Sequence, residues 1–317
     1  MLETITENHK KGIVVPLITP LSKSSNGKNG KNLEFGIDTN SFGNLIRYVE
    51  SERVQGIFVN STTGEFYDLS MEQKKKSIDI AKAKAKTLVF AGTTGKTLQE
   101  TVELTKYAEK RGADVAVIMP FYFYPHNRGL PHVMKEITSQ AKIPILLYNN
   151  PHLTKNDIKT SIFKRILVEN KNVIGIKDSS GEWNRLMNYK EAAKHKKGSM
   201  VFQGDESLIF ESIIYGCGAV PSIANISPQC CAQMWYSHID GETARMGYYK
   251  DTLNWIKNSF RDTYFYKNNT APIIKKVLKL KGIINNEDIF KTLSKEETKR
   301  VEEESHEIKS KLERLGK

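Results

Sequence analysis

Short, uninterrupted apolar segments alternate along this chain with longer segments in which apolar residues recur at helical spacing. Continuous apolar runs are typical of strands that are buried on both faces of a parallel sheet. Eight such runs predict strands at 12–18, 54–60, 87–92, 114–119, 143–148, 173–177, 200–204 and 217–223. The pattern therefore indicates a parallel sheet whose strands are separated by helices.

Helices between these strands are predicted from the spacing of apolar residues and from residues typical of helix ends. One of them carries apolar residues every three or four positions, at Phe42, Leu45, Ile46 and Val49. Segments 70–73 and 97–100 have the form of capping boxes, and 110–112 ends a helix with two cations and a glycine. Pro272 suits the first turn of a helix, and Ser294 begins a long polar helix that runs almost to Lys317.

Eight strand–helix units in one chain predict an α/β fold, a (β/α)8 TIM barrel with a C-terminal helical extension. The alternative is an open doubly wound sheet, which usually has a glycine-rich phosphate loop after its first strand. Here the first strand leads into segment 19–21, which contains no glycine. We expect residues 1–226 to form the barrel, with 1–11 and 22–32 peripheral and the polar, glycine-bearing 22–32 a mobile surface loop. Residues 227–317 would supply the last barrel helix and the extension, in the same domain because no linker precedes them.

Composition narrows the class of protein. The 317 residues are 39% hydrophobic and 26% charged, which is typical of a soluble globular chain. The net charge of +12 could attract nucleic acid, but the lysines are spread along the chain, so a solvated surface that draws in acidic metabolites is favoured. Three cysteines, two of them adjacent, suit reduced thiols in a cytoplasmic protein. We expect no metal, cofactor, nucleic-acid partner, signal peptide or membrane span.

Lys177 is the first candidate for chemistry, because it is the first charged residue after a buried apolar run. A lysine that loses its hydration in a barrel interior has a lowered pKa, and a neutral amine can form a Schiff base with a ketone. Tyr148 ends the preceding predicted strand, and adjacent strands lie about 5 Å apart. Tyr148 could therefore move protons for a substrate held by Lys177, although a strand-end tyrosine can also be a core residue.

Three further segments fall at the ends of predicted strands, where a barrel of this kind has its active site. Segment 60–65 offers hydroxyls and backbone N–H groups to a carboxylate, or it is an ordinary polar turn. The aromatic cluster at 121–124 serves either packing or a proton relay, and small residues at 218–222 leave room for a ligand. Together with Lys177 these segments describe a site for an α-keto acid.

Four motifs in this order resemble those of the dihydrodipicolinate synthase/N-acetylneuraminate lyase superfamily, pyruvate-dependent class I aldolases built on (β/α)8 barrels. The motifs are STTGE at 61–65, FYF at 121–123, YNNP at 148–151 and GIKD at 175–178. The resemblance implies that Lys177 is the Schiff-base lysine and that Tyr148 shuttles protons. It also implies that no cofactor is needed and that the chain assembles as a homotetramer, a dimer of dimers.

The resemblance assigns the remaining site residues as well. Thr62 and Thr63 would bind the carboxylate and relay protons, and Tyr122 would be the relay tyrosine lent across a subunit interface. Val220 falls where the family offers a backbone carbonyl to pyruvate. Gly204 is expected to contact substrate. Asn150 departs from the family, which often has an apolar or aromatic residue at its position; it could hydrogen-bond a sugar hydroxyl of the substrate or cap its turn.

Within the superfamily, 2-keto-3-deoxygluconate aldolases are the most similar, through TGEF-x-x-LS, YN-x-P-x-LT and GIKDS. Dihydrodipicolinate synthases have an arginine where this chain has Leu153, and neuraminate lyases have a second acid where it has Ser207. Some of these aldolases also have an arginine, suited to a phosphate, where this chain has His126. We therefore expect an aldolase that cleaves 2-keto-3-deoxygluconate to pyruvate and glyceraldehyde. The alternatives are dihydrodipicolinate synthase, a related keto-deoxy sugar acid lyase or dehydratase, and a non-catalytic ligand- or nucleic-acid-binding barrel.

Overall fold

The structure, a computed structural model, describes residues 12–24, 34–120, 129–259, 270–287 and 294–315. The strands in this part of the chain are β1 (Val14–Pro16), β2 (Leu21–Ser24), β3 (Glu34–Ile37), β4 (Gly56–Val59), β5 (Leu88–Gly92), β6 (Val115–Ile118), β7 (Ile145–Asn149), β8 (Val173–Asp178), β9 (Met200–Gln203) and β10 (Gly218–Ala219). The α-helices are α1 (Thr39–Glu50), α2 (Met71–Lys84), α3 (Leu98–Lys110), α4 (Leu130–Gln140), α5 (Pro151–Thr154), α6 (Thr160–Glu169), α7 (Trp183–Ala193), α8 (Ile209–Ile214), α9 (Pro228–Ile239), α10 (Thr243–Ser259), α11 (Ala271–Leu280) and α12 (Lys295–Leu315). Each of the eight strands predicted for the sheet overlaps an observed strand, and two of the observed strands, β7 and β8, end one residue beyond the predicted range.

The described chain divides into two compact units, and the first consists of residues 12–14, 55–58, 87–120 and 129–221. Its strands follow one another in chain order through an eight-stranded sheet. The sheet returns to its beginning, because Ile13 bridges Ala219 in parallel and the Ala219 N–H donates to the Gly12 carbonyl at 2.8 Å. The predicted (β/α)8 barrel is confirmed.

One irregularity in the sheet decides where the central candidate residue points. Ile145 pairs with Val173, but the next residue, Leu146, pairs with Gly175, so Ile174 is an extra residue in β8. A one-residue change of register sends every later side chain to the opposite face of the sheet. The bulge therefore brings Lys177 level with Tyr148 on β7.

Gly175 allows β8 to approach β9 at this bulge. Its φ is +154°, and a Cβ built there would lie 1.9 Å from the carbonyl oxygen of Met200. Only glycine fits such an approach without displacing backbone. After it, Lys177 pairs with Phe202 and Asp178 with Gln203 in regular parallel register.

The second unit consists of residues 15–24, 34–54, 59–86, 222–259, 270–287 and 294–315 of the described chain. Helix α1 buries Phe42, Leu45, Ile46 and Val49, as its spacing predicts. At the start of α2 both capping-box bonds form: Gln73 N–H donates to Ser70 Oγ at 3.2 Å, and Ser70 N–H to Gln73 Oε1 at 2.8 Å. Ser294 and Glu297 form a second box at the start of α12.

Two local expectations need correction. The first part of segment 22–32 is not a loop, because residues 22–24 belong to β2, which pairs with β3 in antiparallel register. The single apolar residue of β2, Leu21, gives no periodic signal. The box at 97–100 is only half formed. Glu100 N–H donates to Thr97 Oγ1 at 3.1 Å, but the Glu100 carboxylate accepts from the Lys96 N–H at 2.6 Å, one residue earlier than expected.

In the described ranges, no helix combines the length and the apolar character needed to cross a membrane. All three cysteines are buried, and none forms a disulfide.

Candidate active site

Lys177 lies near the carboxyl end of β8 inside the first unit, with 4% of its surface exposed. Its Nζ donates a hydrogen bond to Ser179 Oγ at 3.0 Å and lies 3.5 Å from the ring centroid of Tyr148. Burial lowers the pKa of Lys177, whereas Tyr148 and Asp178 act in the opposite direction. The amine therefore loses its proton more readily than a solvated lysine, which is the condition for attack on a carbonyl group.

Tyr148 is also buried, and its phenolic oxygen has a side-chain donor. Asn150 Nδ2 donates to this oxygen at 3.1 Å. Asn150 is at the same time the N-cap of the short helix α5, where its Oδ1 accepts the N–H of Leu153 at 3.3 Å. Of the two roles expected for Asn150, the cap is observed, and the contact with Tyr148 was not anticipated.

The carboxylate next to the lysine is engaged elsewhere. Asp178 is fully buried; its Oδ1 accepts from Asn149 Nδ2 at 2.8 Å and its Oδ2 from Ser180 Oγ at 2.7 Å. Burial raises the pKa of Asp178, and the hydrogen bonds from Asn149 and Ser180 oppose that shift. Asn149 also donates to Asp157 at 3.1 Å. This network fixes the end of β8 without forming an ion pair with Lys177.

Gly204 follows β9 and borders the amine directly. A Cβ built at Gly204 would lie 2.7 Å from Lys177 Nζ and 2.1 Å from Ser179 Oγ. Its backbone N–H donates to the Asp178 carbonyl at 2.7 Å. This bond joins the ends of β8 and β9 and holds Gly204 close to Lys177. Gly204 therefore keeps the space around the amine open.

Val220 follows β10, the last strand of the barrel. It is buried, and its N–H donates to the Gln203 carbonyl at 2.7 Å. The expected role of the Val220 carbonyl as an acceptor for pyruvate stays a prediction.

Thr62 and Thr63 belong to the second unit, where both are partly exposed in the turn after β4. The turn is closed by hydrogen bonds from Glu65 N–H to the Thr62 carbonyl at 3.0 Å and from Gly64 N–H to Ser61 Oγ at 3.0 Å. Their proposed participation with Lys177 in one site stays a prediction. Tyr122 lies outside the described residues.

A buried ion pair anchors this turn inside the second unit. Lys275 Nζ, on α11, lies 2.5 Å from Glu65 Oε2, and the two side chains are 0% and 2% exposed. Glu65 adopts a left-handed backbone with φ of 56°, which is strained for a residue with a side chain. The ion pair thus stabilises the conformation that presents Thr62 and Thr63.

Ser179 is the residue near the amine that the sequence argument missed. Its hydroxyl contacts Lys177 Nζ, but serine after a strand is common and carries no signal by itself. Its position two residues after the lysine could have indicated it, because residues i and i+2 of an extended chain point to the same side.

Among the residues that the structure describes, no group of three or more histidine, cysteine, aspartate or glutamate side chains is arranged to hold a metal ion. The described groups around Lys177 are a buried amine, a phenol, a hydroxyl and an amide. Such a set of groups can support imine formation by the amine and proton transfer by the phenol.

Comparison with known proteins agrees with this chemistry. The model of the dihydrodipicolinate synthetase family matches residues 10–311. The 4-hydroxy-tetrahydrodipicolinate synthase of Pelagibacter ubique is 31% identical over 281 residues, covering 87% of this chain and 90% of the relative. An uncharacterized DapA-like lyase of Pyrococcus furiosus is 29% identical over 298 residues, covering 88% of this chain and 94% of the relative. The crystal structure of KD(P)GA from T. tenax superposes with a TM-score of 0.79 at 25% identity, covering 95% of this chain and 99% of that one. The chain belongs to the dihydrodipicolinate synthetase family, whose members are pyruvate-dependent class I lyases.

Proposed function

We propose that this lyase is a Schiff-base aldolase that reversibly cleaves 2-keto-3-deoxygluconate to pyruvate and glyceraldehyde. The observation that carries the proposal is the Lys177 amine, which is buried, has a lowered pKa and lies 3.5 Å from the ring of Tyr148. The family accounts for the pyruvate half of the substrate. The identity of the aldehyde half rests on the residues around the turn after β7.

In this mechanism the neutral amine of Lys177 adds to the C2 ketone. Tyr148 gives its phenolic proton to the departing hydroxyl, so that loss of water leaves an iminium ion and a phenolate. Tyr148, as its phenolate, takes the proton from the C4 hydroxyl. The C3–C4 bond breaks, its electron pair flows into the iminium group to form an enamine, and glyceraldehyde leaves. Protonation of the enamine at C3 and hydrolysis of the imine release pyruvate and restore the amine.

Leu153 supports this substrate over aspartate semialdehyde. Dihydrodipicolinate synthases, which this chain resembles, have an arginine at this position for the carboxylate of the second substrate. A leucine side chain cannot form the two parallel hydrogen bonds that a guanidinium donates to a carboxylate. The nearby His152 has one ring nitrogen engaged, because its Nε2 is 2.9 Å from the Ser180 carbonyl.

A second candidate is 4-hydroxy-tetrahydrodipicolinate synthase itself. The observation that favours it is the name of curated relatives, among them the protein from Pelagibacter ubique at 31% identity. In that case a group other than an arginine at position 153 would have to hold the second carboxylate. The structural neighbour named KD(P)GA favours the first candidate, the aldolase.

The lysine assignment is tested by trapping with pyruvate and sodium borohydride. We expect one reduced pyruvyl adduct per chain, mapped by peptide mass spectrometry to Lys177 and absent in K177M. Lys281 is the matched control, because burial lowers its pKa to about 8 and it lies 4.6 Å from the ring centroid of Tyr48. The variant K281M should be labelled normally; an adduct on Lys281 would overturn the assignment.

The substrate is tested by offering 2-keto-3-deoxygluconate for cleavage and, separately, aspartate semialdehyde with pyruvate for condensation. We expect the first reaction to have a kcat/KM at least about 100-fold higher, which corresponds to about 2.7 kcal/mol of transition-state stabilisation. The reverse ranking would favour the second candidate. Loss of water from a related keto-deoxy sugar acid, with no pyruvate released, would point to a sugar acid dehydratase.

We further expect a homotetrameric assembly of soluble, cytoplasmic chains acting on small-molecule substrates, on the strength of the family resemblance. Sedimentation velocity at micromolar concentration measures the assembly directly.

A further inference from the structure

We propose that Asn150 is a positioning residue that orients Tyr148 and stabilises its phenolate for proton transfer. The inference deepens the proposed function and rests on it for the role of Tyr148. It assigns to Asn150 a contact with the catalytic phenol in place of the expected contact with a sugar hydroxyl. Substitution of Asn150 should therefore change the rate of the proton-transfer step and not the affinity for substrate.

The orientation of the Asn150 amide is fixed by its backbone contacts. The N–H of Leu153, 3.3 Å from Oδ1, can only donate, so the oxygen end of the amide must face it. The Asn150 carbonyl meanwhile accepts from the Thr154 N–H at 3.0 Å and from Thr154 Oγ1 at 3.0 Å, which holds the turn in place. The NH2 end is therefore the end that faces the phenol of Tyr148, at 3.1 Å.

This orientation determines which proton transfers Tyr148 can make. Because the phenolic oxygen accepts a hydrogen bond from Asn150, its own proton must point in another direction, away from the amide. When Tyr148 gives up that proton, the hydrogen bond persists and becomes charge-assisted, which makes it stronger. The ammonium or iminium nitrogen of Lys177 on the ring face favours the same charged state. Asn150 thus stabilises the phenolate of Tyr148, which is the form that accepts the proton of the C4 hydroxyl.

Capping alone does not require an asparagine at this position. Serine and aspartate cap helices about as well as asparagine, but neither carries an NH2 donor. Aspartate is also nearly the same shape as asparagine, so N150D keeps the cap and the packing while it replaces the donor with a charged acceptor. N150S keeps the cap and removes the donor without adding charge.

The experiment measures exchange of the pyruvate methyl protons for deuterium in D2O by NMR, which requires the imine and a base but no aldehyde. We expect N150D to slow exchange by about 100-fold, near the lower end of the range for general acid–base catalysis. We expect N150S to slow it by about tenfold, as for one lost hydrogen bond to a charged group. In N150D the rise of the rate with pH should move to higher pH, and KM for pyruvate should stay within about twofold of wild type, because the imine nitrogen is untouched.

A double variant supplies the coupling readout that a purely structural role would not produce. If Asn150 acts through the phenol, Y148F/N150D should exchange no more slowly than Y148F. Independent, multiplicative losses would overturn the proposal, and so would a normal rate and pH profile in N150D. A raised KM with unchanged kcat would instead assign Asn150 to substrate binding.

Borohydride trapping separates this inference from the proposed function. Wild type and N150D should both be labelled by pyruvate at Lys177. Absence of label in wild type would defeat the proposed function. Full label in both, with normal exchange in N150D, would defeat the Asn150 proposal alone.

Discussion

Lys177 and Lys275 are both buried lysines, and the protein treats them in opposite ways. Lys275, in the second unit, is fully buried against the carboxylate of Glu65 at 2.5 Å. Lys177, in the first unit, contacts a hydroxyl and an aromatic ring, and no carboxylate within the described residues forms an ion pair with it. The neighbouring carboxylate of Asp178 is held by Asn149 and Ser180.

The difference separates a lysine that is held as a charge in an ion pair, Lys275, from one that the proposed mechanism uses as a neutral amine, Lys177. An ion pair keeps an ammonium protonated, whereas burial without a carboxylate partner favours the neutral form. Burial of the Lys177 amine without a carboxylate partner therefore costs folding stability. At Lys275 the charge is retained, and it stabilises a strained turn.

The same substitution at the two lysines gives the largest expected contrast. K275M leaves Glu65 buried without its partner, so we expect the free energy of unfolding to fall by about 3–5 kcal/mol. K177M should lose no stability. Urea denaturation monitored by circular dichroism measures both.

The double variant K275M/E65Q controls for loss of lysine volume, because it removes both charges and should recover most of the lost stability. Equal destabilisation by K177M and K275M would erase the distinction between the two sites.

Adding one methyl group beside the amine should sharpen the contrast. In G204A the new Cβ occupies space 2.7 Å from Lys177 Nζ and 2.1 Å from Ser179 Oγ, so the amine must move. A displacement on the order of 1 Å can reduce kcat by about 100-fold. Steady-state cleavage kinetics measure this loss. G247A is a matched control, since nothing lies within 4 Å of a Cβ at Gly247. Equal cleavage rates in G204A and wild type would contradict the expectation that a methyl group beside Lys177 displaces the amine.

The smallest expected effect is the pH dependence of stability at Lys177. Its pKa is lower in the folded than in the unfolded chain, so between the two values the unfolded chain binds more protons and stability rises with pH. K177M removes this penalty and should be more stable by about 0.5–2 kcal/mol at low and neutral pH. The advantage should vanish as pH approaches the pKa of an unfolded lysine, about 10.4.

Urea midpoints of K177M, wild type and the exposed-site control K135M, measured from pH 6 to pH 10, give this dependence. An advantage of K177M that is independent of pH would indicate a packing effect instead of relief of a buried charge.

The sequence determined the order and type of most elements, because buried parallel strands and helices have distinct apolar periods. It also indicated Lys177 and Tyr148, since each ends an apolar run. Segment 22–24 was misread because a strand such as β2 exists only through its partner β3 and carries one apolar residue.

By itself, the chain of residues thus fixed the barrel and the chemical types that its strand ends display. Only the tertiary structure decided how those groups meet: the extra residue at Ile174 that brings Lys177 level with Tyr148, the close approach of Gly204, the amide of Asn150 on the phenol, and the pairing of Lys275 with Glu65 across 210 positions. The reason is physical. Periodicity reports burial, which is a property of each residue, whereas register, close approach and pairing depend on contacts between segments that no single segment encodes.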